Sequence, residues 1–570
     1  MILHHATPER TLDALLARFS GAPAGTTFEA WTFDDRTARR RAEGLLAAQG
    51  VTARIRSAYK PIVSFFLEEA RPGFIAAHIA YPVHPAAIPN RFLLESYPLA
   101  ALLAPAAVTF NPGTSIETYE VTLTYPEGVE THRVFAPNRE HPDLEGVATL
   151  SPCGWLIAEG QSAPLLTDYE ALFHGTMDAI AAHIWDQEPY FEELNLALTI
   201  PADDEPLNHD DEALSLREAM HEDLYFSALE YFGKLSGRPV GDRHLQPGQI
   251  VPEITQGPPR LTITLRPLAT ADRMGAPQPL DSATAPPPNA QIRDELAALG
   301  GTRFTARTRA GREVEARHIA GQGAAVMISA GQHPNETSPI TGALRAAKLL
   351  KDQGAHFTIS PLENPDGYAL HGRLVADNPR HMHHAARYTA FGDDLEYRQN
   401  PDALYEHAIR TQAEALTGAQ LHINLHGYPA HEWTRPLSGY VPRGFAMWTL
   451  PKGFFLVMRH RAGWAEPARA LTEAVTADLA RNTALMEMNA RQIALYGIHA
   501  GETGFEMING FPCYIGPDPR HRVPLTLITE YPDETIYGPA YAAAHEAQMQ
   551  TVLAAHAAWQ RLAASSELLV

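Results

Sequence analysis

Apolar runs and helical periodicities alternate along the second half of the chain. Apolar runs of strand length occur at residues 324–330, 357–362, 421–425 and 523–529, and helical spacing of apolar side chains occurs at 340–351, 403–416 and 467–495. This alternation predicts an α/β fold with a mixed sheet and helices on both of its faces. Because ligands of such sheets gather at the carboxyl ends of strands, the polar residues after each run are the candidates for chemistry.

The first half shows a different pattern. Residues 117–125 and 131–135 flank a Pro-Glu-Gly turn and predict two paired strands, and helical spacing over residues 214–235 predicts a helix. We therefore expect an α+β domain over residues 1–266. On the predicted helix, His221, Glu222 and Asp223 are expected to face solvent.

Prolines separate the two halves. Residues 267–290 contain Pro267, Pro277, Pro279 and three consecutive prolines from 286, without any periodicity, which predicts a linker with a boundary near residue 285. A chain of 570 residues is also longer than one hydrophobic core normally serves. The second domain is then expected over residues 291–570.

Composition narrows the classes of function. Apolar residues make up 45% of the chain and charged residues 19%, as in soluble globular proteins. With 45 Lys and Arg against 66 Asp and Glu, the net charge of −21 disfavours nucleic acid and anionic membranes as partners. The amino-terminal residues do not have the pattern of a signal peptide, so a cytoplasmic protein is expected. Cys153 and Cys513 are the only cysteines, so a metal would need His and carboxylate ligands.

Two strand ends carry such ligands. The run at 324–330 leads into Gly-Gln-His-Pro-Asn-Glu, where His333 and Glu336 are spaced to converge on one divalent ion, and zinc suits nitrogen and oxygen donors. The run at 421–425 ends at His426, the expected third ligand, followed by Gly427. His422 lies on the same side of that strand and would compete, but it is about four residues deeper in the sheet.

A fourth strand end carries a carboxylate. Glu530 follows the run at 523–529, and Pro532 is expected to end the pairing of that strand. Beside a metal, such a Glu could take a proton from metal-bound water and return it to the leaving nitrogen.

In this order, His333-x-x-Glu336, Asn364-Pro365-Asp366-Gly367, His426 and Thr529-Glu530 resemble the zinc metallocarboxypeptidase family over about residues 300–560. The resemblance implies one zinc ion per chain, bound by His333, Glu336, His426 and a water molecule, with Glu530 as general base and acid. It further implies that Arg387 polarises the scissile carbonyl. It also implies that Tyr514, in a glycine-rich segment expected to be a mobile loop, closes over the substrate.

The sequence departs from the family at Glu396 and Tyr397. Carboxypeptidases of the family carry Asn-Arg there and use them to bind the C-terminal carboxylate of the substrate, a group that arginine suits and a glutamate would repel. Arg398 could substitute through a shift of one residue, and Arg373 and Arg380 are other cationic candidates in the same loop region. Otherwise Glu396 would recognise a cationic substrate group. We therefore expect an atypical peptidase or amidohydrolase, acting on a peptide or small amide.

Other interpretations stay open. A zinc deacylase of N-acyl amino acids, similar to aspartoacylase and succinylglutamate desuccinylase, is one of them. Such an enzyme would have the same His-x-x-Glu motif, followed by a His far along the chain and a Glu later still. A metal-binding scaffold without turnover is a different class, although it would not need Glu530. The role of residues 1–266 is open: they could cap or orient the second domain, or form a homo-oligomer. The run from His381 to His384 is expected to be a polar loop and not a second metal site.

Overall fold

The computed structural model describes residues 1–239, 241–398, 400, 404–440, 452–500, 504–520 and 522–565. Within these ranges, no helix combines the length and the apolar character that crossing a bilayer requires.

The first half mixes strands and helices, as predicted. Its strands are β1 (Ile2–Ala6), β2 (Thr27–Thr32), β3 (Thr52–Ser57), β4 (Ala76–Tyr81), β5 (Ala107–Pro112), β6 (Thr118–Tyr125), β7 (Gly128–Phe135), β8 (Asn138–Pro142), β9 (Ala148–Pro152), β10 (Trp155–Ala158), β11 (Gln161–Pro164), β12 (Glu193–Ile200), β13 (Glu205–Pro206), β14 (Ala213–Leu214), β15 (Gln249–Gln256) and β16 (Arg260–Arg266). Its helices are α1 (Thr11–Phe19), α2 (Arg36–Ala47), α3 (Pro61–Glu68), α4 (Arg91–Glu95), α5 (Leu99–Leu102), α6 (Asp168–Ala182) and α7 (Leu216–Leu235).

Three four-stranded sheets organise this half, with strand orders β1-β16-β12-β15, β11-β10-β2-β3 and β5-β4-β6-β7. The predicted hairpin is confirmed as β6 and β7, which pair in antiparallel register from Thr118 opposite Phe135 to Tyr125 opposite Gly128. The predicted helix at 214–235 is α7. Its N-cap is Ser215, whose hydroxyl accepts the backbone N–H of Glu218 at 3.1 Å.

The second half contains the larger sheet. Its strands are β17 (Thr302–Arg307), β18 (Glu313–Ile319), β19 (Gln322–Ser329), β20 (Ala355–Ser360), β21 (Leu421–Pro429), β22 (Phe455–His460), β23 (Glu506–Ile508), β24 (Phe511–Pro517) and β25 (Leu525–Glu534). Its helices are α8 (Asn289–Leu299), α9 (Ser338–Asp352), α10 (Pro365–Leu374), α11 (Ala408–Thr417), α12 (Ala465–Leu479), α13 (Thr483–Ala500) and α14 (Pro539–Ser565).

The nine strands form one mixed sheet in the order β17-β18-β20-β19-β21-β25-β22-β24-β23. The four central strands, β20, β19, β21 and β25, are mutually parallel. Alternate residues of β19 reach different cores: Val326 and Ile328 pack with α9, α12 and α14, whereas Met327 packs with α11 on the opposite face. The α/β prediction with helices on both faces is therefore confirmed.

Two strand boundaries differ from the sequence predictions. Pro532 was expected to end pairing, but β25 continues to Glu534, and Pro532 is registered opposite Tyr428 of β21. Residues 510–516 were expected to be a loop, but 511–517 form β24, which pairs in parallel with β22. Glycine and proline content indicated a loop there, whereas backbone pairing with a neighbouring strand determines the outcome.

The charged trio of α7 is buried, so the prediction that it faces solvent is wrong. His221, Glu222 and Asp223 are 2%, 0% and 0% exposed. The helix packs on β15 and also receives partners from the second half of the chain: the carboxylate of Glu222 contacts the His384 ring, and that of Asp223 accepts the hydroxyl of Ser438. Helical periodicity alone cannot show that a polar face will be covered by a distant segment.

The proline-rich segment 267–288 is irregular except for one 3₁₀ turn at Leu280–Ser282. Leu280 and Ala283 are buried in the core of the second half. The segment therefore packs against the large sheet's helical layer, and the division of the chain at 267–290 stays a prediction.

Candidate metal centre

The turn after β19 places His333 and Glu336 at the carboxyl edge of the sheet. Gly331 has a φ of 63°, and an added Cβ would lie 2.9 Å from the Leu362 side chain, so glycine is required where the chain leaves the strand. The backbone N–H of Glu336 then donates to the carbonyl of His333 at 3.1 Å. This turn directs both side chains toward one point before α9 begins at Ser338.

His426 reaches the same point from β21, the strand that pairs directly with β19 in the parallel centre of the sheet. Its backbone N–H donates to the Thr529 hydroxyl at 2.9 Å, and its carbonyl accepts from Gln548 at 2.8 Å. Gly427 follows because a Cβ there would lie 2.0 Å from the Asp533 carboxylate. Its bare backbone N–H donates to Glu336 Oε2 at 3.0 Å.

The three side chains converge closely. His333 Nδ1 lies 3.0 Å from Glu336 Oε1, His426 Nδ1 lies 2.9 Å from Glu336 Oε2, and the two Nδ1 atoms are 3.1 Å apart. One ligand atom from each residue falls within 4.8 Å of the others, and all three side chains are buried. The predicted ligand set is thus brought together, while His422 instead contacts Ser329 at 2.6 Å.

This geometry fits a divalent ion. Two imidazole nitrogens and a carboxylate are donors that zinc accepts, and two Nδ1 atoms 3.1 Å apart can both use their lone pairs only when a cation lies between them. Burial lowers the pKa of His426. Burial raises the pKa of Glu336, but the nearby His333, Arg387 and His426 have the larger opposite effect. The pKa of Glu336 is therefore well below its ordinary value.

Residues outside the ligand set orient it. The carboxylate of Asp394 lies 3.4 Å from His333 Nε2 and accepts the amide of Gln332 at 3.0 Å. Burial lowers the pKa of His333, but the charges of Glu336 and Asp394 together raise it above its ordinary value. A carboxylate that accepts the proton of Nε2 fixes the tautomer in which Nδ1 carries no proton and can offer its lone pair to a metal ion.

Arg387 lies directly beside the ligands. Its guanidinium donates to Glu336 Oε1 and is 3.6 Å from Glu534 Oε1. Burial lowers the pKa of Arg387, but Glu336, Tyr388 and Glu534 together raise it above its ordinary value. The guanidinium is therefore a permanent cation beside Glu336.

Two glutamates of β25 face this region. Glu530 is registered opposite His426 and shares its face of the sheet, where burial and the nearby Glu336 raise the pKa of Glu530 well above its ordinary value. Glu534 accepts the Asn335 amide at 2.7 Å, and burial likewise raises the pKa of Glu534. Sequence reasoning identified Glu530 and missed Glu534, because the strand was expected to end at Pro532.

Glu396 is paired with a cation of the chain itself. Its carboxylate accepts from Arg410, which also donates to Glu363 and to Gln332, each at 2.6 Å. Gln332 in turn donates to Asp394, so Glu396 connects to the ligand set through a buried polar network. A role for Glu396 in binding substrate stays a prediction.

The other predicted substrate contacts have different neighbours. Arg398 is buried between Asp393 and Glu406, at 2.7 Å from each. Tyr514 is 40% exposed on β24, where Arg459 lies 4.7 Å from its ring centre. Tyr397 lies between two arginines, Arg243 at 5.3 Å and Arg520 at 4.7 Å from the ring centre.

The alternative arginines are also engaged in ion pairs. Arg373 contacts Glu193 at 2.9 Å and Glu253 at 2.8 Å, and Arg380 contacts Asp211 at 2.6 Å. All three carboxylates belong to the first half of the chain. These arginines connect the two halves, which sequence spacing could not indicate.

The histidine run forms part of the same contact between halves. His381 contacts Asp204 at 2.7 Å, His384 contacts Glu222, and the Nε2–H of His383 donates to the carbonyl of Asn378 at 3.0 Å. Among the described residues, the group able to hold an ion is His333, Glu336 and His426. The run is an irregular segment that leads into a 3₁₀ turn, and all three of its histidines are buried.

Comparison with protein-family models finds no match, and comparison with curated protein sequences finds none either. Similar solved structures include a metallo-carboxypeptidase from Burkholderia cenocepacia (15% identity, 54% of this chain and 77% of that chain, TM-score 0.30). A metallo-carboxypeptidase from Pseudomonas aeruginosa is 14% identical, and the match covers 54% of this chain and 72% of that chain with a TM-score of 0.30. Carboxypeptidase A from Helicoverpa armigera is 11% identical, and the match covers 55% of this chain and 91% of that chain with a TM-score of 0.30. Likeness at this level does not by itself assign an activity.

Proposed function

We propose that the protein is a zinc-dependent hydrolase that cleaves a peptide-like amide. The observation that carries this proposal is the buried convergence of His333, Glu336 and His426 within 4.8 Å. Two histidines and one glutamate leave a coordination position for water, which is the donor set of hydrolytic zinc sites and not of closed structural ones.

Each neighbouring side chain has a role that follows from its position. A bound zinc ion would supply Lewis acidity toward water and the scissile carbonyl. His333, Glu336 and His426 would hold that ion, and Asp394 would keep His333 in the required tautomer. Arg387 places positive charge where a carbonyl oxygen becomes negative.

Glu530 is the proposed general base and acid. It faces the same side of the sheet as His426, and its raised pKa allows it to accept a proton and later deliver it to the leaving nitrogen. A metal-binding scaffold would not require a carboxylate of this kind in this place.

The test combines bound-metal analysis with hydrolysis of free-carboxylate peptides, amidated peptides, basic amides and N-acyl amino acids. We expect one zinc per chain and turnover that falls by about 10²-fold or more in Glu530→Gln with zinc retained. Glu127→Gln, an exposed glutamate of the first half, should leave turnover unchanged. No bound metal, or turnover indifferent to Glu530, would refute the proposal.

A further inference from the structure

A buried arginine lies behind the candidate metal centre. Arg410 of α11 donates to the carboxylate of Glu363 from Nε at 2.9 Å and from Nη2 at 2.6 Å. Its Nη1 donates to Glu396, and Nη2 also donates to Gln332 Oε1 at 2.6 Å. The guanidinium is thus buried between two carboxylates, and a planar group that is bonded on several sides has a fixed position.

The amide of Gln332 has one possible orientation beside this arginine. An arginine has N–H donors and no acceptor, so the atom of Gln332 that faces Arg410 must be Oε1. Asn424 donates to the same oxygen at 3.3 Å. The amide nitrogen is then directed to the opposite side, where it donates to Asp394 Oδ1 at 3.0 Å. Arg410 therefore determines that Gln332 presents a donor to Asp394.

Three nitrogen atoms converge on Oδ1 of Asp394. The Gln332 amide donates at 3.0 Å, the backbone N–H of Glu396 donates at 3.1 Å, and His333 Nε2 lies at 3.4 Å. The Gln332 nitrogen is also 3.3 Å from His333 Nε2, so the amide and the imidazole lie side by side against one carboxylate. Partners of this kind, beyond the ligands themselves, orient a metal-binding imidazole. The orientation of His333 therefore depends on how firmly Asp394 is held.

We propose that Gln332 is a positioning residue for the metal centre, which holds Asp394 against His333 and thereby raises the affinity for the ion. Arg410 fixes the amide of Gln332 in the orientation that this role requires. Glu396 supports the same arrangement twice, because its carboxylate holds Arg410 and its backbone N–H holds Asp394. The inference rests on the proposed function for zinc as the resident ion, but metal affinity can be measured without any turnover.

The first test is the zinc affinity of Gln332→Met in the full chain, measured by competition with a chromogenic chelator. Methionine is similar to glutamine in length and removes the amide without changing any charge. We expect the affinity to fall about tenfold, and the d–d absorption bands of the Co²⁺-loaded protein to shift, because His333 is less firmly oriented.

Gln412→Met is the matched control for this variant. Gln412 lies on the same helix as Arg410, but its amide donates to the Thr305 carbonyl at 2.9 Å. The zinc affinity and the Co²⁺ spectrum of Gln412→Met should equal those of the unmodified protein. Unchanged zinc affinity in Gln332→Met would overturn the inference.

A double variant tests whether Gln332 acts through Asp394. In the Asp394→Asn background, Gln332→Met should change the zinc affinity by less than about twofold, because the carboxylate that the amide holds is already absent. An equal loss of affinity in both backgrounds would overturn the inference, since the amide would then support the fold in general and not this carboxylate.

Arg410→Lys tests the same support from its other end. Lysine keeps a cation between the two glutamates, but one ammonium cannot reproduce the planar set of donors that also reaches Gln332. We expect the zinc affinity to fall at least about threefold, and this loss to disappear in the Asp394→Asn background. If Gln332→Met does not fold, this variant decides the question, and an unchanged zinc affinity would overturn the inference.

The panel of peptides and amides separates this inference from the proposed hydrolase. If the unmodified protein cleaves no substrate while Gln332→Met lowers zinc affinity and Gln412→Met does not, the hydrolase proposal fails and the positioning role stands. Glu530-dependent cleavage together with unchanged zinc affinity in Gln332→Met has the opposite meaning. No zinc bound by the unmodified protein would overturn both.

Discussion

At the scale of single residues, Asp394 is expected to act on metal affinity through His333. Its carboxylate is buried next to His333 Nε2, and burial opposes its charge while His333 and Arg387 lower its pKa, so it stays ionised. Asp394→Asn keeps the shape and removes the charge that orients the imidazole. We expect zinc affinity to fall about 10-fold to 100-fold, measured by competition with a chromogenic chelator.

Asp377→Asn is the matched control for this experiment, because Asp377 is an exposed aspartate of the same half. Its zinc affinity should equal that of the unmodified protein. Unchanged affinity in Asp394→Asn would mean that the ring of His333 is held by packing alone.

The site residues that could be predicted either have a partner close in the sequence or lie at the end of a predicted strand. His333 and Glu336 are three residues apart, and His426 ends an apolar run, so their convergence at the carboxyl ends of strands could be predicted. Asp394 lies two residues before Glu396, yet no pattern in the sequence showed that it would reach His333. The contact of His384 with Glu222 could not be predicted, because it depends on how two distant halves of the chain pack.

At the scale of elements, α7 carries a buried aspartate that makes stability depend on pH. Asp223 accepts the backbone N–H of Leu437 at 2.8 Å and the hydroxyl of Ser438, and burial raises its pKa to about 7. In the unfolded chain its pKa is about 3.9. Between about pH 4 and 7 the folded protein therefore binds more protons at Asp223 than the unfolded chain does.

The sign follows from this difference in bound protons. The contribution of Asp223 to the free energy of unfolding decreases as pH rises from about 4 to 7, with a slope of at most about 1.4 kcal/mol per pH unit, and becomes constant above about pH 8. We expect the stability difference between the unmodified protein and Asp223→Asn, from urea denaturation, to shrink by about 2 kcal/mol between pH 5 and 7. Asp352→Asn, at the exposed end of α9, should show no such trend. A difference that is independent of pH would contradict the assignment.

Secondary structure was predictable where periodicity alone determines it, as in β6, β7, α7 and the central strands of the large sheet. It was not predictable where pairing with a neighbour decides. β24 contains glycine and proline but lies beside β22, and β25 passes through Pro532 because β21 continues alongside it. The exposed or buried state of α7 depends in the same way on a segment more than 150 residues away.

At the scale of the whole molecule, the two halves share one buried core. Leu224 and Met220 of α7 belong to the same buried cluster as Leu370, Ala386 and Leu437 of the second half. Ion pairs accompany this cluster, including His431 with Glu218 at 2.7 Å. Unfolding one half would leave the other with exposed apolar surface and with buried charges that have lost their partners.

We therefore expect the full chain to unfold in one calorimetric transition, with zinc released in the same step. Leu224→Ala removes a fully buried side chain of the first half and should destabilise the protein by about 2–5 kcal/mol. The temperature of zinc release, followed with a chelating dye, should fall together with that of unfolding, although Leu224 is not one of the proposed metal ligands. Leu350 of α9 in the second half is equally buried, and Leu350→Ala should shift the same transition. Two separate transitions, or zinc release unaffected by Leu224→Ala, would show that the halves are independent and that the first half does not support the site.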